Sequence, residues 1–137
     1  MPLSHVEERL SAEIASRGDA LLEDLKRHVA IPTGMNNRDA LDETRGLFRE
    51  RLERLGATTT MVEGDPKPSW LHGVKPGGHV PATAVCERKR EGRPSVLVAG
   101  HLDTVHDPRG DFQELSVRPG GKTATGPGCV DMKGGLV

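Results

Sequence analysis

The sequence has 137 residues, with 19 Lys and Arg against 20 Asp and Glu and a formal net charge of −1. This near-balance offers no basic face for nucleic acid, no apolar stretch approaches the length of a membrane span, and Met1 to Leu10, which carries His5, Glu7, Glu8 and Arg9, lacks the apolar centre of a signal peptide. Hydrophobic residues at 34% and aromatic residues at 2% are sparse for a domain that must bury its own core, so the composition points to a piece of a larger one. Cys86 and Cys129 form no disulfide framework and suit free thiols in a reducing compartment, so a soluble, cytoplasmic protein is expected.

In chain order, Val6, Leu10, Ile14, Leu21, Leu25 and Val29 recur near helical spacing and predict a helix over residues 4–30. Ser4 and Glu7 have the spacing of a capping box, and Gly18-Asp19 is where the helix kinks or splits. Ile31-Pro32-Thr33-Gly34 ends it, because the residue before proline disfavours helical dihedrals. A second helix is predicted over 39–55, with Leu41, Phe48, Leu52 and Leu55 on one side and Gly56 as its stop. Strands follow at 57–63 and 82–88, separated by a proline- and glycine-rich loop over 64–81. Glu91-Gly92-Arg93-Pro94 is a turn, and Arg88-Lys89-Arg90 beside it reads as a solvated tip. The apolar run Ser95 to Gly100 has the pattern of a central strand covered on both faces. Residues 115–125 suit a small hairpin around Pro119-Gly120-Gly121, and the final Met132 to Val137 resembles the opening of a buried helix. Helices before and after a mixed set of strands predict an α/β layered domain, in which ligands bind beyond the carboxyl ends of strands.

The residues just past Gly100 are His101-Leu102-Asp103-Thr104-Val105. In extended chain, His101 and Asp103 point the same way. A carboxylate beside an imidazole fixes its tautomer and raises its basicity, as around a zinc-bound histidine. Thirty positions after His101 stands Asp131, within Gly126-Pro127-Gly128-Cys129-Val130-Asp131-Met132-Lys133-Gly134-Gly135. Gly126 and Gly128 permit close approach or positive φ, and Gly134 and Gly135 permit close packing of a helix.

Gly-His-x-Asp-Thr-Val followed by Gly-Pro-Gly-x-x-Asp-Met-Lys-Gly-Gly resembles the M20 family of metallopeptidases, over at least residues 95–137. The resemblance implies a three-layer α/β/α zinc-peptidase core with a mixed sheet, of which residues 1–137 are the truncated N-terminal part. It implies that His101 binds one metal ion, that Asp131 bridges two, and that Asp103 serves catalysis by orienting His101. It implies two zinc ions per complete site, with cobalt as a substitute. A metal-activated water then attacks an amide carbonyl of a small peptide or N-acyl amino acid, and a glutamate beyond residue 137 acts as general base. That glutamate, the remaining metal ligands and a small lid domain used for homodimerisation are all expected outside this chain. His101 and Asp131 should then converge on one metal, with ligating atoms roughly 3–4 Å apart. In the family the peptide after the bridging aspartate is cis, here Asp131-Met132.

Gly126-Pro127-Gly128 and the short link from His101 resemble glutamate-carboxypeptidase-like members; deacetylase and desuccinylase members, the alternative, more often have Gly-Arg-Gly and a Trp in the link. Thr125 departs from the Tyr of many relatives. A non-catalytic metal-binding module is a further alternative, although two ligands hold zinc weakly. Gly121-Lys122-Thr123 ends like a P-loop, but the glycine required five positions earlier is Ser116. His106 and Asp107 read as a solvated loop, and Cys129 as a small packed residue rather than a ligand.

Overall fold

Ser4 starts the first helix of the computed structural model, which describes residues 2–34, 37–66, 68–70 and 80–137. Its hydroxyl accepts from the Glu7 N–H, and the Glu7 carboxylate accepts from the Ser4 N–H at 2.6 Å, completing the capping box. The Ser4 hydroxyl also donates to that carboxylate at 2.7 Å, and this bond, followed by the one from the Ser4 N–H, holds the Glu7 carboxyl below its ordinary pKa. The helix expected over 4–30 is split into α1 (His5–Ser16) and α2 (Gly18–Ala30), with the break at Arg17, one residue before Gly18. α1 buries no residue, and Val6, Leu10 and Ile14 are all exposed. Its periodicity foretold the helix, whereas burial falls to α2, which inserts fully buried Val29 beside buried His28.

The chain divides into two compact units, Met1–Met35 with Asp103–Val137, and Asn36–Leu102. In the first unit, Ile31 turns extended before Pro32, and Gly34 then pairs in parallel with Thr104. The expected hairpin is present as β3 (Ser116–Val117) and β4 (Ala124–Thr125), antiparallel, with Gly120 and Gly121 at positive φ in its turn. The segment read as the opening of a buried helix is instead a single 3-10 turn, Lys133–Gly135. Two of its three residues, Gly134 and Gly135, have no side chain to pack, and its first, Lys133, commits its side chain to a polar anchor, so the apolar stripe that sustains an α-helix is missing.

In the second unit, α3 (Arg38–Arg54) buries Ala40, Leu41 and Thr44, while Leu52 and Leu55 stay exposed. Gly56, at φ +88°, closes it by donating its N–H to the Glu53 carbonyl. β1 (Thr58–Val62) and β2 (Thr83–Glu87) form an antiparallel pair from Thr58↔Glu87 to Val62↔Thr83, and α3 packs on them. The Arg45 guanidinium donates to the Ala82 carbonyl at 3.1 Å, fixing the entry to β2. Of the loop predicted over 64–81, residues 67 and 71–79 lie outside the described residues.

The central strand predicted over 95–100 is not formed. Val96, Leu97 and Val98 are 84%, 90% and 89% exposed, outside the β1–β2 ladder. A continuous apolar run becomes a strand when neighbours cover both faces, and the sheet of this unit does not extend to it. Helices and two small antiparallel sheets therefore make up the α/β fold among the described residues. None of the described helices is long and apolar enough to cross a membrane.

Because α1 is held by its cap rather than by burial, Ser4→Ala is expected to cost that helix about 0.5–2 kcal/mol. Amide exchange should accelerate across 5–16 and stay unchanged in α3; unchanged exchange in α1 would contradict this account.

Candidate functional site

From His101 to Val105 the exposure alternates residue by residue: His101, Asp103 and Val105 are exposed, Leu102 is half-buried and Thr104 is buried. That is the period of extended chain, and it sets the two candidate residues on the exposed phase. Thr104 is the fixed point. Its N–H donates to the Thr33 carbonyl at 3.2 Å, and its bridge to Gly34 is parallel. The Ile31-Pro32-Thr33-Gly34 segment, read from sequence as a helix stop, thus also supplies the pairing partner next to Asp103. A β-carbon on Gly34 would collide with the backbone carbonyl of His106, which is why glycine stands at this crossing.

Asp131 lies on a tight loop built from backbone. The Lys133 N–H donates to the Gly128 carbonyl at 2.8 Å and the Gly134 N–H to the Cys129 carbonyl at 3.2 Å, so residues 128–133 close on themselves. Gly128 is at φ +69°, and a β-carbon there would come within 2.5 Å of the Thr104 methyl. The close approach permitted by this glycine is therefore to the protein's own Thr104. Asp131 and Val130 are exposed at the tip, Cys129 is half-buried, and the Asp131-Met132 peptide is cis, as the resemblance implies.

Lys133 was not singled out by the sequence reading, yet it is 2% exposed. Its ammonium donates to the carbonyls of His28 at 2.8 Å and Ile31 at 2.6 Å, at the C-terminal end of α2. Burial lowers its pKa to about 8, which leaves it largely protonated at neutral pH. The available signal was a lysine set among glycines directly before the apolar Leu136-Val137, a place where a solvated cation has no obvious use.

His106 and Asp107 form a self-contained loop. The Asp107 carboxylate accepts from the Arg109 N–H at 2.9 Å, the Gln113 amide donates to the carbonyls of Asp107 and Gly110, and His106 meets the Phe112 ring edge-on at 5.2 Å.

His101 belongs to the unit Asn36–Leu102, and Asp103 and Asp131 to the other. Among the described residues, no group of three or more His, Cys, Asp or Glu is placed to hold a metal ion. An imidazole and a carboxylate are zinc donors in kind, but a zinc site takes three or four protein ligands, so the donor set fits in type and falls short in number.

No protein-family model matches the sequence, and no curated protein matches it. Among solved structures, human carnosine dipeptidase 1 is similar, with a TM-score of 0.75 and 25% identity over 97% of this chain. The chain spans 29% of the length of that protein. The likeness supports an M20-like fold.

Gly34→Ala should destabilise the Thr33–Thr104 junction by about 1–3 kcal/mol or more, since the obstacle is backbone and cannot rotate away. A thermal shift no larger than that of the open-position control Gly46→Ala would refute the close approach.

Proposed function

We propose that residues 1–137 are the N-terminal part of the catalytic domain of an M20-type, metal-dependent hydrolase that cleaves amide bonds of small peptides or N-acyl amino acids. The likeness to a dipeptidase over nearly the whole chain carries this reading, because the two chemistry-bearing motifs fall within the matched fold. In the complete enzyme, a three-layer α/β/α core with a mixed sheet takes up the exposed run 95–100 as one of its strands. The remaining ligands, a general-base glutamate and a dimerisation domain belong to the rest of that enzyme, which acts in the cytoplasm as a homodimer.

The roles assigned to this chain follow from its chemistry. In this reading His101 would offer an imidazole nitrogen to a metal, and Asp103 would be the carboxylate that orients the ring and raises its basicity. Asp131, at the tip of a backbone-closed loop, would be a carboxylate ligand for the metal centre. Zinc or cobalt, when bound, supplies a polarised substrate carbonyl and a water acidic enough to lose its proton near neutral pH. Residues 1–137 would thus supply a histidine and a carboxylate to the metal centre, and proton transfer would fall to the glutamate outside them.

In the complete polypeptide, chelation should abolish hydrolysis of dipeptides and N-acyl glutamates, and zinc or cobalt should restore it. His101→Ala and Asp131→Ala should each remove activity, whereas Asp103→Ala should weaken metal affinity or turnover by about 10–100-fold. Full activity in either ligand variant would overturn the assignment, and turnover confined to acetyl or succinyl substrates would redirect it to the deacylase branch.

The 137-residue chain alone should be inactive on the same substrates, since loss of a positioned general base alone removes about 10²–10⁴-fold. Metal-dependent turnover by the purified chain would refute this.

A further inference from the structure

We infer that Lys133 is the positioning residue for Asp131: its buried ammonium ties the Asp131 loop to the C-terminal carbonyls of α2. This rests on the proposed role of Asp131 as a metal ligand.

Lys133 is fixed at both ends. Its backbone N–H closes the loop on the Gly128 carbonyl at 2.8 Å, and its side chain reaches the His28 and Ile31 carbonyls about a hundred positions away in sequence. Asp131 lies inside the closed loop, two residues from the anchor. The carbonyls at a helix C-terminus lack intrahelical partners and carry partial negative charge, so an ammonium there meets acceptors already aimed outward. A hydrocarbon of similar length would fill the same space and leave those acceptors without the donor.

The placement gives the loop a reference point that its own sequence lacks. Residues 126–135 include four glycines, so few side chains within the loop can pack to fix its path. The loop is held from beneath, at Lys133 and at Gly128 against the Thr104 methyl. Thr104 is in turn hydrogen-bonded to Thr33, next to Asp103. Through these contacts the end of α2 becomes the common base for Asp103 and Asp131.

The test is Lys133→Met, read in two ways. In the 137-residue chain, amide exchange at residues 133 and 134, whose N–H groups close the loop, should speed by about tenfold or more, the scale of losing one charge-assisted hydrogen bond. Exchange in β1 and β2 should not change. In the complete polypeptide, Co²⁺ affinity, followed by its visible absorption, should fall by about tenfold or more. Unchanged loop exchange would overturn the inference, and so would faster loop exchange with unchanged Co²⁺ affinity. If the wild-type polypeptide binds no Co²⁺ while loop exchange rises in the variant, the tether stands and the metal reading of Asp131 falls. Should Lys133→Met lose protection throughout α2, Lys133→Gln, which keeps a neutral donor, is read by the same two measurements and the same outcomes.

Discussion

The last turn of α2 organises the unit that contains Asp131. Within six residues, the carbonyls of His28, Ile31 and Thr33 accept from donors far along the chain: the Lys133 ammonium takes the first two, and the Thr104 N–H takes the third. The first two serve a local cap as well, the His28 carbonyl accepting from the Ile31 N–H at 3.3 Å and the Ile31 carbonyl from the Thr33 N–H at 2.9 Å. Here they join three segments that share no sequence neighbourhood, while Val29 provides the fully buried apolar side chain beneath them. With few large apolar residues to bury, the unit relies on directed polar contacts for its register.

That reliance explains the distribution of small residues. Gly34 lets the chain cross the His106 carbonyl, and Gly128 lets the Asp131 loop settle on Thr104. Both sit where main chain meets main chain or a β-branched methyl, and neither faces open space. The two crossings lie close in sequence to the carboxylates, Gly34 pairing with Thr104 beside Asp103 and Gly128 opening the loop that carries Asp131.

The local elements were legible because their signals are local. Ser4 and Glu7 marked a helix start, Gly56 a helix stop and Gly120-Gly121 a hairpin turn, each through chemistry within a few residues. The run 95–100 misled because its hydrophobicity reports what should cover it, and coverage is a property of neighbouring strands. The apolar stripe of α1 misled in the same way: helical spacing was visible, burial was not. The candidate residues His101, Asp103 and Asp131 stood out as a motif pair, which conveys chemical type and order but not the anchor. Lys133 was missed because a buried lysine is rare, and only the outward-facing carbonyls of α2, invisible in the sequence, make it sensible. The pairing of Thr33 and Gly34 with Thr104 was missed for a similar reason, since a two-residue parallel bridge leaves no alternation to read.

The exposed Val96-Leu97-Val98 run governs how this chain behaves in a crowd. Exposed, apolar and rich in β-branched residues, it has the composition of a segment onto which another strand can pair. Arg93 and Pro94 stand at one end as gatekeepers, but at the other Ala99-Gly100 brings neither charge nor proline before His101. Self-association of the isolated chain should therefore begin at this segment. A charge placed at Leu97 would interrupt the run and raise solubility.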